Sequence, residues 1–332
     1  MQNKEMNMLR HSLLTLLFLV VTSFPVFAYK MTIYTDQTSK AKAEQVKQLF
    51  KTTYPFNQYN IDFEIVSATA AELNCAPDPA ITRLVVCNST HVTTDSAARG
   101  SDQAFIVRDL AQYGGSGGGV PVITTQSDPR MMLHEYLHTL GLSDEYEYSA
   151  SEAPRFCTST TRSPNLTVIT PLASYASDAI ARTTHSSAIP WYARIAGTTL
   201  ITNSTNLGTG NVNSTTAAPN TGNAPLALSR AIGLYKGKTC RNLPATGSGP
   251  AAASWHPGGE PTIMEFLSGG LGGPTEQIVA GIYDSRGVTK RVAATTPPPP
   301  MPVTVTDGAR DDSKGAIINV INNTGSSSSI GR

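Results

Sequence analysis

The spacing of apolar and polar positions changes several times along the chain, and each spacing predicts a different element. KMTIYT (30–35) is a short apolar run of strand character. In SKAKAEQVKQLFKTT (39–53), Ala43, Val46 and Phe50 recur at helical spacing behind Thr38 or Ser39 as a cap. Four further runs predict strands: IDFEIVSA (61–68), ITRLVV (81–86), QAFIVRD (103–109) and VPVITT (120–125). Between the last two lies YGGSGGG (113–119), too rich in glycine to form a stiff element but open to close backbone approach. It lacks the lysine and the spacing of a phosphate loop. A helix inserted among strands, followed by a second helix from 129, predicts an α+β (mixed α/β) domain.

From 150 to 222 the pattern is lost. Ser, Thr, Asn, Ala and Pro dominate and apolar residues are scattered, which predicts a surface excursion or a partly disordered insertion. Helical spacing returns in NAPLALSRAIGLYKG, from about Ala224 to Tyr235. It returns again in GPTEQIVAGIYDSRG, with Pro274 in the first turn and Ile278, Ile282 and Tyr283 on one face. From Val292 the chain passes into TTPPPPMPV, a stiff spacer, and then a Ser/Gly-rich end.

Composition narrows the function classes. The chain has 332 residues, of which 40% are hydrophobic and 15% charged, so one catalytic-sized domain with appendages is expected. A net charge of +1 without a long Lys/Arg run excludes a polyanion partner, whether nucleic acid or anionic membrane. At the start, Lys4 and Arg10 precede the apolar run LLTLLFLVV, and Val26 and Ala28 fit the small-residue rule for cleavage after Ala28. Residues 1–28 therefore read as a secretory signal. The mature protein is expected outside the cytoplasm, extracellular or periplasmic, with no membrane segment left. Cys75, Cys87, Cys157 and Cys240 are an even number in an exported chain; of three connectivities, Cys75 with Cys87 and Cys157 with Cys240 is favoured. The expected organisation is a signal at 1–28, a domain at 29–290 carrying the polar insertion, and a tail at 291–332.

One segment carries chemistry. Asp128 and Pro129 form a helix start, and MMLHEYLHTL runs without a breaker to Gly141. Four-residue spacing sets His134 and His138 on one face, where both imidazoles can meet one zinc ion. Glu135 lies one step round, within reach of a water there, and Leu133, Leu137 and Leu140 form the stripe turned to the core. Gly141 permits a sharp return of the chain, and Asp144 is the first acid after it, placed to complete a three-ligand site. Glu145 is its competitor, with His185 and His256 farther off.

HEYLHTLGLSDEY resembles the metzincin zinc signature with aspartate as third ligand, as in snapalysin, and its DEY ending is similar to the IgA-peptidase family of metallopeptidases. YGGSGGGVPVITTQSDPRMMLHE, AIGLYKG and SWHPGGEPTIMEF are similar to further segments of that family, so the likeness spans about 102 to 266, outside the insertion. It implies a metzincin-like fold: a mixed twisted sheet above the zinc helix, and a lower subdomain with a Met-turn and C-terminal helix. It implies a zinc endopeptidase acting on protein or peptide substrates, with His134, His138 and Asp144 as ligands, Glu135 as general base and Met264 as the Met-turn methionine. Phe266 stands where some metzincins carry a tyrosine, so Tyr146 or His256 is the candidate oxyanion contact. Backbone at Gly117 and Gly118 is the candidate for edge-strand pairing with substrate. The competing reading is a secreted binding or adhesion protein with a structural metal, whose working parts would be the insertion and the tail. Such a metal is closed by four protein ligands, and no fourth is evident near 134–146.

Overall fold

The computed structural model describes residues 28–79, 84–158, 160–212, 231–244 and 251–291. The expected signal, the Ala224 end of the third predicted helix and the Pro-rich tail lie outside them. β1 (Tyr29–Thr35), α1 (Lys40–Thr52), β2 (Ile61–Ser67), α2 (Ala70–Leu73), β3 (Ala76–Pro77), β4 (Val85–Val86), α3 (Ser89–Ala98), β5 (Gln103–Arg108), β6 (Gly115–Ser116), β7 (Val122–Thr124) and α4 (Pro129–Thr139) build the first half. β1 is apolar along most of its length because it runs between two parallel neighbours, with helices over both faces of the sheet. The strand order is β2-β1-β5-β7-β6, parallel except for β6 at the edge, which is antiparallel to β7.

One face of this sheet carries α1 and α4. Ala43, Val46 and Phe50 of α1 are buried as their spacing predicts. The rings of Phe50, Phe56, Phe105 and Tyr136 pack at centroid distances of 5.2 to 5.9 Å. The opposite face packs Tyr34, Leu73, Val85, Val92 and Ile106. α3, on that face, escapes sequence reading because STHVTTDSAA buries only Val92 and Ser96 and has no apolar period.

Two local expectations are corrected, the Ser39 cap and the glycine run, and a third is only partly described. Ser39 sits at the start of α1 without capping it. Its hydroxyl donates to the Val107 carbonyl, and Asp36 Oδ1 accepts the Thr38 and Ser39 N–H groups instead. Of ITRLVV, residues 81–83 lie outside the described residues, and Val85–Val86 forms a strand paired with Ala76–Pro77. The glycine run contains β6, held because a Cβ at Gly115 would lie 2.8 Å from the Val122 carbonyl oxygen and 2.9 Å from Met131 Sδ.

The second half comprises α5 (Ala153–Phe156), β8 (Arg162–Ser163), β9 (Leu166–Ile169), α6 (Asp178–His185), β10 (Gly210–Asn211), β11 (Tyr235–Lys236), β12 (Ala253–His256) and α7 (Gly273–Ser285). The described part of the insertion is no surface excursion. Its Ile169, Tyr175, Ala181, Ile189, Trp191, Ile201 and Leu207 form a core with Leu234 and Trp255, beside a sheet of order β10-β11-β12-β9-β8. Tyr235 is extended, not helical, because it pairs with His256 across β11 and β12. α7 follows the prediction, with Pro274 in its first turn and Ile278 and Tyr283 buried. The Tyr283 hydroxyl meets that of Tyr136 at 2.6 Å, tying α7 to α4. Both expected disulfides are formed, Cys75–Cys87 and Cys157–Cys240, and they fit an oxidising environment. No described helix is long and apolar enough to cross a membrane.

Candidate metal centre

α4 starts as its sequence dictates. Asp128 is extended, its Oδ1 accepts the Arg130 N–H at 2.8 Å, and Pro129 occupies the first turn. Met132, Leu133, Tyr136 and Leu137 are buried, which turns His134, Glu135 and His138 toward a partly open face. The helix ends in a Schellman motif: Gly141, at φ +87°, donates to the His138 carbonyl at 2.9 Å and Leu142 to that of Leu137 at 3.1 Å. This reversal sends residues 142–145 back across the helix.

Asp144 thereby meets both imidazoles. Its Oδ1 lies 3.1 Å from His134 Nε2 and 3.3 Å from His138 Nε2. On the far side of each ring, His134 Nδ1 is 3.0 Å from the Ile263 carbonyl oxygen and His138 Nδ1 is 2.9 Å from that of Leu142. A carbonyl only accepts, so both Nδ1 atoms carry hydrogen and both Nε2 atoms of neutral rings present lone pairs. Asp144 Oδ1 is out of solvent contact and has no hydrogen-bond donor among the described residues. Two nitrogen lone pairs and an anionic oxygen thus converge on one point, an arrangement that a cation would satisfy.

Without a metal that cation is a proton. Burial disfavours charge on both groups, but a protonated His138 would donate from Nε2 to Asp144 and attract it, and this prevails: His138 is pushed up to about 9 and Asp144 is held well below the usual carboxylate range. A metal satisfies the site better, since it meets three atoms at once. Ligands at about 2.0–2.2 Å around a tetrahedral ion stand about 3.3–3.6 Å apart; the separations of 3.1 and 3.3 Å lie just below and at the short end of that range. His134, Glu135 and His138 also offer ligand atoms within 4.8 Å of one another, so these three residues could hold a metal ion.

The side chains around the centre sort themselves by position. Gly117 is against it: a Cβ there would lie 2.9 Å from Glu135 Oε2 and 2.9 Å from His138 Cδ2. Gly118 follows at φ +102°, a conformation that favours glycine. Met264 is fully buried with Leu133, Leu137 and Ile263, and its carbonyl accepts the Glu145 N–H at 2.9 Å, so it lies against the ligand loop. The three alternative ligands are elsewhere. Glu145 points inward to Asn165 and Thr262, and His185 is buried against the Tyr175 hydroxyl at 2.9 Å. His256 is 4% exposed, between Thr239 and Glu145, with no surface to offer a substrate. Tyr146 is half-buried and packs edge-on against Tyr148. Tyr148, which sequence reading passed over, donates its hydroxyl to Asp144 Oδ2 at 3.2 Å; its place four residues after Asp144 in DEYEY was the available signal.

No protein-family model matches this chain, and no curated protein does either.

Proposed function

We propose that the protein is a secreted, zinc-dependent endopeptidase of metzincin type, in which His134, His138 and Asp144 bind zinc and Glu135 is the general base. The observation that carries this reading is Asp144 Oδ1, buried without a donor at 3.1 and 3.3 Å from two imidazole nitrogens. Two imidazoles and one carboxylate suit zinc, and they leave a coordination position open.

Bound zinc would polarise the scissile carbonyl and lower the pKa of a water beside it. The rest of the chemistry falls to the chain. Glu135, next to His134 on the helix, takes the proton of the attacking water and delivers it to the leaving amine nitrogen. The Ile263 and Leu142 carbonyls fix both rings with Nδ1 protonated, and Tyr148 holds the second oxygen of Asp144. β6 is the edge strand of its sheet; its Gly115 is already bridged by Leu84, so Gly117 and Gly118 are the backbone left for an extended peptide to meet.

The test is metal analysis of the purified protein together with hydrolysis of casein or gelatin, with and without a chelator and after zinc is restored. Glu135→Gln should retain one zinc and lose about 10²- to 10⁴-fold in rate, the range of general acid–base catalysis. Activity of that variant within about tenfold of wild type would remove Glu135 from the reaction.

A further inference from the structure

The ligand loop from Leu142 to Glu145 has no regular structure, so its shape must be imposed from outside. Asn165, in the turn between β8 and β9, does this. It is fully buried, and both its donors and both its acceptor positions are engaged. Its Nδ2 donates to the Ser143 carbonyl at 2.8 Å and to Glu145 Oε1 at 2.7 Å. Its Oδ1 accepts the Ser143 N–H at 2.8 Å and the Ser163 hydroxyl at 3.1 Å. The amide therefore reads both backbone groups of the residue before Asp144 and the side chain of the residue after it.

Glu145 completes the grip. Its Oε2 accepts the Thr262 hydroxyl at 2.7 Å, its N–H donates to Met264, and its carbonyl accepts the Thr239 hydroxyl at 2.7 Å. Thr262 Oγ1 in turn accepts the Met264 N–H at 3.0 Å. Asp144 is thus held between two residues that are each fixed from at least two sides. Every one of these partners is neutral or hydrogen-bonded, and none reaches the point where the imidazoles converge.

We infer that Asn165, acting with Glu145, is a positioning residue for the metal: it sets the place of the Asp144 carboxylate, and the body formed by the insertion is thereby part of the metal centre. This rests on the reading of Asp144 as a ligand. Removing an outer partner of a ligand weakens metal binding by about 10- to 100-fold, and here the partner fixes the backbone on both sides of the ligand.

The experiment measures zinc affinity by chelator competition, and thermal unfolding, on the full mature chain. Asn165→Ala and the smaller polar replacement Asn165→Ser are compared with Asp144→Ala and with Tyr175→Phe. The last removes a buried hydroxyl from the core of the same body without touching the loop. Expected is a zinc Kd raised about 10- to 100-fold in whichever Asn165 variant folds, with Tyr175→Phe unchanged in Kd although it unfolds at a lower temperature. A Kd within about twofold of wild type in the Asn165 variants, while Asp144→Ala loses its zinc, overturns the role of Asn165 alone. Equal weakening by Tyr175→Phe also overturns it, since general loosening would then suffice. Retention of zinc by Asp144→Ala overturns the ligand reading itself.

Discussion

At the scale of single residues, the centre is defined by what its atoms lack. A buried carboxylate oxygen without a donor is expensive to maintain, and the imidazole lone pairs facing it add to the cost once no proton or metal lies between them. Replacing Asp144 by alanine relieves that electrostatic conflict while removing one of the three proposed ligands. Asp144→Ala should therefore lose zinc on dialysis against buffer, yet show in metal-free form a stability equal to or above that of the metal-free wild type above about pH 9, where His138 no longer carries the balancing proton. The sign follows from His138. Its pKa is raised in the folded state, so the pairing it supplies is fully present below its unfolded value and is lost as pH rises through about 9. Metal content and urea unfolding of both metal-free proteins at two pH values decide it. A wild type that stays ahead of the variant at high pH would mean that the Tyr148 hydroxyl on Asp144 Oδ2 outweighs the conflict with the two rings.

At the scale of elements, the site is the meeting of one helix, one reversal and one edge strand. The helix was legible because its capping, its apolar stripe and its ligand spacing coincide within 128–141. The reversal was legible because glycine at 141 is followed so closely by an acid. The edge strand was not: GGSGGG carries no β-branched or apolar residue, and β6 forms only because its neighbours leave room for bare backbone. Its close approach yields a test. Gly117→Ala places a methyl 2.9 Å from the end of the Glu135 side chain and 2.9 and 3.3 Å from Cδ2 and Cβ of His138, and it meets no backbone among these nearest atoms. Those two groups would have to give way, however, and a displacement of the proposed general base approaching 1 Å would cost on the order of 10² in rate. The expected outcome is a fall in kcat with modest change in KM. Unchanged kcat would place the glycine stretch farther from the reacting atoms than the structure does.

At the scale of the whole molecule, two bodies share the centre: the first sheet and α4 supply His134, Glu135 and His138, and the ligand loop is gripped from the second body by Asn165 and Thr239. The second body was illegible in the sequence because its core uses apolar residues from short strands and irregular turns, at no fixed period. Asn165 looks like any turn residue until its partners are seen. The half-cystine pair Cys157–Cys240 is the covalent seam of this body, packed with Tyr148 and Val168 and close to Thr239. It spans 83 residues, so the chain-entropy model assigns it about 4 to 5 kcal/mol. Cys75–Cys87 spans only 12 and accounts for about 3 kcal/mol on the same basis. The two should differ more in kind than in size. Cys157→Ala with Cys240→Ala should lower the unfolding temperature and also weaken zinc binding, because Tyr148 and Thr239, which touch the ligand loop, lose their common anchor. Cys75→Ala with Cys87→Ala should lower the unfolding temperature while leaving zinc affinity close to that of wild type, since that loop joins the hairpin beyond β6 and makes no described bond to residues 142–145. Zinc affinity and thermal unfolding measured on both double variants separate the cases. Equal loss of affinity in the two would show that the metal centre responds to global stability and not to the body that holds its third ligand.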